Sequence, residues 1–323
     1  MFRKLLVPLD RSPMAEQALG YAVEIARLNH AGVDVMMVHD KEAFPFTATV
    51  PDWAVVQTGD DERYLREVAA ELETGASVPA SCAVVGGNAV DGIVARAHEV
   101  AADLIVMTSH GRTGLSRMWL GSVADGVIRR SHIPVLLLRP TAGHGPRVAA
   151  RELFHNILVP IEDISSAGEI LDTVMSMVES GAGTIRLVHV VRPVPLFSPE
   201  VSVGSLYPIY VPDDAATESV AHESWERLGA LARRREGGGG HTIECEVAVS
   251  DNVTEAIINS ARQHGASLVA MTTHGRGLSR LLLGSAADKI IRTSSVPLLL
   301  LHGAPADVPA EQPAMASSFV TVA

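Results

Sequence analysis

Residues 106–130, VMTSHGRTGLSRMWLGSVADGVIRR, join an apolar run to an amphipathic one through a turn rich in Gly, Ser and Arg. A strand ending at Met107 delivers Gly111 and Gly114 as flexible turn positions, and Gly121 and Ser122 then open a helix carrying Val123, Val127 and Ile128. The first N–H groups of such a helix have no intrahelical partner, and the helix dipole is positive there, so the pattern predicts an anion site. The pattern returns at 270–293, AMTTHGRGLSRLLLGSAADKIIRT, with only the equivalent of Thr113 or Gly114 missing. Two matching copies predict two repeated domains.

Outward from this stretch the first half alternates strand-like and helix-like patterns. RKLLVPL at 3–9 reads as a first strand, too soon broken by Pro8 and Asp10 for a signal peptide. Ser12-Pro13 supplies an N-cap with Pro at the first helical position, and Ala15, Ala18, Leu19, Ala22, Val23 and Ala26 form one apolar face that stops near Ala31-Gly32. VDVMMVH at 33–39 is a second strand, followed by a loop containing Pro45, Pro51 and Trp53 and a helix through Tyr64, Leu65, Val68 and Leu72. Further strands fall at 81–85, 103–107 and 133–138, with a helix at 89–101. Strands separated by helices call for a parallel sheet covered on both faces. The expected fold class is α/β: two tandem Rossmann-like doubly wound domains, each with a five-stranded parallel sheet and helices on both faces.

The boundaries follow from the repeat: a first domain at 1–140, a linker at 141–152, a second domain at 153–302 and a disordered tail at 303–323. Pro8 to Pro160 is 152 residues and Pro134 to Pro297 is 163, so the second half carries an insertion. It lies at 193–212, PVPLFSPEVSVGSLYPIYVP, read either as a surface loop or as a lid or partner contact. Gly237 to Gly240 reads as a flexible turn. The formal charge of −11 argues against general affinity for nucleic acid or an anionic membrane surface, and no apolar run reaches membrane-spanning length. Cys82 and Cys245 occupy comparable places and predict two buried strand thiols in a reducing cytoplasm rather than a disulfide.

Ligands of doubly wound sheets sit outside the carboxyl ends of the strands. In the first half those ends present Pro8, Leu9 and Asp10, then His39 and Asp40, then Met107 and Thr108 to Gly114. Asp10 suits sugar hydroxyls or a phosphate-held metal, or else a helix-capping turn; Arg112, Ser116, Arg117 and Ser122 suit phosphates. His110, His274, His39 and His189 stand at strand ends, where a structural role competes with a ligand-facing one. There is no P-loop, no G-x-G-x-x-G after the first strand, no Cys/His metal spacing and no G-x-S-x-G elbow. Without a placed base, any hydrolysis of a phosphate ligand should be slow.

At these residues the chain resembles the universal stress protein family in its tandem form. The nucleotide-binding members carry G-x-x-G, nine residues, then G-[ST], together with a strand-end (V/Y)-P-x-D. Pro8 and Asp10 match, as do Gly111, the nine residues 112–120, and Gly121-Ser122. The resemblance implies ATP bound without a P-loop, with or without Mg2+, no metal held by protein alone, and pairing of domains through their last strands at 133–138 and 296–301, with a homodimer as a further option. It implies a nucleotide site of Pro8, Leu9, Asp10, Asp40, Met107, Thr108, His110, Gly111, Arg112, Gly114, Gly121, Ser122 and Val123. A second, weaker site would use Pro160, Ile161, Glu162, Val190, Met271, Thr272, Gly275, Arg276, Gly284, Ser285 and Ala286. Thr108 and Thr272 replace the first Gly of the motif, Glu162 replaces Asp, and Gly275 to Gly284 encloses eight residues rather than nine. The expected function is an ATP-binding stress-response regulator, against a non-nucleotide-binding interaction scaffold of the same fold. An adenine-nucleotide hydrolase would show S-G-G-x-D-S after the first strand, which VPLDRSP is not.

Overall fold

The structure is a computed structural model that describes residues 2–39, 52–109, 120–139, 150–165, 167–178, 183–196, 212–235, 241–273 and 284–301. Asp40, His110, Gly111, Arg112, Gly114, Ser116, Arg117, His274, Gly275 and Arg276 lie outside the described residues, as do most of the 193–212 segment, Gly237 to Gly240 and the 303–323 tail.

The first half runs β1 (Lys4–Pro8), α1 (Pro13–Asn29), β2 (Gly32–His39), α2 (Asp52–Ala76), β3 (Ala80–Gly86), α3 (Ala89–Glu99), β4 (Leu104–Thr108), α4 (Ser122–Arg130) and β5 (Val135–Leu138). A short helix, α5 (Ala150–Leu153), occupies the end of the expected linker. The second half repeats the order as β6 (Asn156–Pro160), α6 (Gly168–Val178), β7 (Thr184–Val191), α7 (Asp214–Arg235), β8 (Thr242–Val249), α8 (Val253–Gln263), β9 (Leu268–Thr272), α9 (Ser285–Thr293) and β10 (Leu298–Leu301). One expected boundary moves: α2 begins at Asp52, directly after Pro51, so Trp53 belongs to the helix rather than the loop.

The strands form one sheet in the order β3-β2-β1-β4-β5-β10-β9-β6-β7-β8, parallel within each half. β5 and β10 meet antiparallel, with Leu298 opposite Leu137 and Leu299 opposite Leu136. Beside this joint, Arg129 bonds Asp125 and Arg292 bonds Asp288, and Arg129 also lies 3.9 Å from Asp288. Arg139 donates to the Ile291 carbonyl. β3 and β8 are the outer strands, which explains why Cys82 and Cys245 are half-buried rather than fully buried; neither is in a disulfide.

The alternation of each strand feeds two cores. Leu5, Val7, Val33 and Val35 pack with Ala18, Ala22 and Ile25 of α1 and Leu65 of α2. Leu6, Met36, Ile105 and Met107 pack with Ile93 of α3 and Ala124, Val127 and Ile128 of α4. Burial of a side chain such as Ile128 contributes about 1.5–3 kcal/mol. α1 starts as the sequence predicts: Ser12 is the N-cap, its side chain accepts from the Ala15 N–H, and Pro13 follows. It ends at His30, which adopts a left-handed φ of 53°.

Arg139 Nε and Nη1 are buried without a partner among the described residues, whereas the buried acid Asp34 is fully paired. Asp34, fully buried on β2, receives two bonds from Arg96 of α3 at 3.0 and 2.9 Å and one from the Ser81 hydroxyl at 2.6 Å. The matching strand of the second half carries Arg186, paired instead with Glu244.

Candidate functional site

β1 lies between β2 and β4, and the crossovers after β1 and β4 cover opposite faces, so a crevice opens at the carboxyl ends of these two strands. The Leu9 N–H donates to the Met36 carbonyl, which carries the ladder one residue past Pro8 and brings Asp10 to the rim. The Asp10 carboxylate accepts from the Ser12 N–H at 3.0 Å, spanning Arg11, whose φ is 61°. This is a tight turn closed by an Asx side chain. It agrees with the turn reading of Asp10 without removing the acid from the rim.

Across the crevice, the Ser109 N–H donates to the Leu138 carbonyl and the Gly121 N–H to the Ser109 carbonyl, both at 2.8 Å. Gly121 is thus held against the end of β4. Gly121 is the N-cap of α4 and has no side chain to cap it, so the first-turn N–H groups beginning at Ser122 suit an anionic acceptor. Ser122 is exposed and Val123 half-buried against the core. Leu9 and Met107 are buried in the two cores and can offer only backbone to a ligand.

Thr108 does not crowd this side. Met107 packs with α4 and Val106 with the opposite core, so by strand alternation Thr108 projects toward the α1 face, where it is 8% exposed. The same parity holds at Thr272, one residue after Met271.

The second half reproduces the frame. The Ile161 N–H donates to Val188, the Thr273 N–H to Leu301 at 2.8 Å and the Gly284 N–H to Thr273 at 3.2 Å, and Gly284 caps α9 without a side chain. Gly284 is anchored to Thr273 as Gly121 is to Ser109, although Gly275 to Gly284 encloses eight residues rather than nine. The acid does change. Glu162 is exposed, and the turn is closed one residue later by Asp163, which accepts from the Ser165 N–H at 3.0 Å and its hydroxyl at 2.7 Å. Pro160 ends β6, Ile161 and Met271 are buried in the cores, Val190 lies in β7, and Ser285 and Ala286 begin α9.

His189 and His39 are held at their strand ends. His189 Nδ1 lies 2.8 Å from the Ile161 carbonyl, and His39 Nδ1 lies 3.0 Å from Asp61 of α2. The other Asp61 oxygen accepts from Arg11 at 2.7 Å, and the Arg11 guanidinium stacks on Tyr64, whose hydroxyl donates to Glu16 at 2.7 Å. Burial, then the bond to Glu16, raises the Tyr64 phenol well above its ordinary range. Sequence reading passed over Arg11, Glu16 and Asp61. The available signal was an acid at 61 on the stripe formed by Leu65, Ala69 and Leu72.

Fold and site together define a class: tandem doubly wound α/β domains, each starting a helix from a glycine N-cap at the carboxyl ends of its strands. The sequence pattern of the universal stress protein family matches residues 1–139 and again 153–302. The chain belongs to the universal stress protein family. A universal stress protein of Methanocaldococcus jannaschii is 31% identical over 142 residues, covering 43% of this chain and 83% of that protein. One from Mycobacterium tuberculosis is 32% identical over 138 residues, covering 42% of this chain and 45% of that protein. The crystal structure of a universal stress protein from Archaeoglobus fulgidus covers 93% of this chain and 98% of its own, with a TM-score of 0.65 at 20% identity, a likeness of fold. No helix among the described residues is long and apolar enough to cross a membrane.

Proposed function

We propose that the chain binds an adenine nucleotide, ATP with or without Mg2+, in the crevice between β1 and β4, and acts as a ligand-dependent regulator in stress responses rather than as an efficient enzyme. The observation that carries this reading is the uncapped start of α4 facing the rim that holds Asp10. Phosphate suits the helix N-terminus, and a carboxylate one strand away suits ribose hydroxyls or a phosphate-bound cation. Membership of the family supports the adenine assignment. Regulation would follow if a partner prefers one ligand state, since only differential affinity shifts an equilibrium.

The first domain is the stronger candidate. Its turn acid is Asp10, whereas Glu162 is exposed and Asp163 closes its turn locally. The domains, 1–140 and 153–302 with a linker between them, pair within one chain through their last strands; the register of Leu137 with Leu298 supports this arrangement. Two cysteines outside any disulfide are in keeping with a cytoplasmic setting.

Purified protein, denatured and analysed by chromatography, should release close to one adenine nucleotide per chain, or should bind ATP with Mg2+ when calorimetry supplies it. Gly121→Leu should abolish that binding while circular dichroism stays unchanged, and Gly284→Leu should leave it in place. Wild-type protein that neither releases nor binds nucleotide would favour the scaffold reading.

A further inference from the structure

We infer that Asp61 is a positioning residue of the first-domain site, holding through Arg11 the turn that presents Asp10. The inference rests on the nucleotide reading above and adds to it a residue from α2, an element whose sequence pattern suggested only packing.

Arg11 is the single residue between Asp10 and Ser12, and it sits at a φ of 61°, a conformation that side-chain-bearing residues seldom adopt. Such a conformation persists only where surroundings over-determine it. Two contacts do so here. Asp61 bonds the guanidinium at 2.7 Å, and the Tyr64 ring lies under it at 5.5 Å. The carboxylate of Asp61 is itself immobile: its side chain is 5% exposed, and His39 holds its second oxygen from the end of β2. An acid on the buried stripe of α2 is a costly choice for packing alone, since a buried charge must be paired. Here it ties the ends of β1 and β2 to one helix, and the tied residue is the neighbour of Asp10.

The second half shows the frame without the tie. The offset of 163 residues that relates Leu65 to Leu228 and Ala69 to Ala232, all buried, relates Asp61 to Ser224. The residue matching Arg11 is Asp163, which closes its own turn through Ser165. The bracket is therefore special to the half with the better-matched acid, and it stands on the α1 face of the sheet, away from the glycine-rich loop. Its effect on a ligand is indirect, through the aim of Asp10.

The test is a double-mutant cycle on the full chain, with ATP and Mg2+ as the probe and calorimetry as the readout. Asp61→Asn, which keeps shape and removes charge, should weaken binding by about tenfold or more, the scale on which residues that orient a binding group act. In an Asp10→Ala background it should cause no further loss, and Asp61→Glu should recover part of the affinity. Amide exchange supplies a ligand-free readout: the Ser12 N–H should lose protection in Asp61→Asn, while amides in the middle of α1 keep theirs. An equal loss with and without Asp10 would mean that α2 acts on the fold at large and would overturn the inference. So would unchanged affinity. If wild type binds no nucleotide the functional reading fails first, and the Ser12 amide then reports whether the bracket exists apart from it.

Discussion

Gly126, in the middle of α4, is where the two helices on one face of the first domain come closest, and replacing it with Ala should destabilise the protein. A Cβ built there would stand 2.6 Å from Val90 Cγ2, 3.1 Å from its Cγ1 and 3.4 Å from its Cβ. Carbon atoms in contact settle at about 3.5–4.0 Å, so α3 and α4 would have to part by roughly 1 Å or distort. Val90 cannot rotate clear, because a β-branched side chain in a helix has one strongly preferred rotamer. Overpacking of this kind costs about 1–3 kcal/mol. Exchanging Gly for Ala inside a helix returns about 1 kcal/mol, which leaves a net loss of roughly 1 kcal/mol. Val90→Ala alone removes two half-buried methyl groups and should also cost about 1 kcal/mol. The double variant lets the new methyl take the vacated space and should return to near wild type, so the coupling between the sites is roughly 2 kcal/mol. Urea unfolding followed by two probes, at unchanged m-value, measures all three variants. A Gly126→Ala protein more stable than wild type, with Val90→Ala merely additive, would refute the reasoning.

Arg96→Met should cost about 3–5 kcal/mol in urea unfolding by leaving Asp34 buried without its guanidinium, and adding Asp34→Leu should recover much of that loss. Tyr64 gives a pH dependence: its phenol is raised in the folded state by burial and by Glu16, so its contribution is complete below the ordinary value near 10. That contribution is lost as pH rises through the alkaline range, because the unfolded chain ionises first. Stability should fall less steeply there in Tyr64→Phe, and an unchanged alkaline limb would count against the assignment. Burial and the neighbouring Asp34 raise the Cys82 thiol, so native protein at mildly alkaline pH should alkylate at Cys82 more slowly than unfolded chain, as mass spectrometry of the modified peptide can report.

The parts of this protein that are local in sequence were legible there. Ser12 with Pro13, Gly121 with Ser122, and the repeated strand patterns each announce a structure made by neighbouring residues, and each appears where it was read. The start of α2 was misplaced because Pro51 reads equally as part of a loop or as a helix preface. The bracket of Arg11, His39 and Asp61 was illegible for another reason. Its members are 22 and 50 residues apart, on three elements, and only the docking of α2 onto the strand ends brings them together. Glu162 was matched to Asp10 by alignment, yet the turn-closing role had moved to Asp163, a shift of one position that residue types alone do not reveal.

The antiparallel seam between β5 and β10 fixes where the two crevices lie. Every strand of the first half runs with β5 and every strand of the second with β10, so the two crevices open on opposite margins of the sheet. They are four strand spacings apart, about 19 Å across the sheet, with the sheet's own length between them. One small partner cannot read both margins at once, and two partners can each take one without competing. Any influence of one margin on the other must then cross this seam, where the leucines at 136–138 and 298–301 are flanked by Arg129 beside Asp288 and by Arg139 on the Ile291 carbonyl.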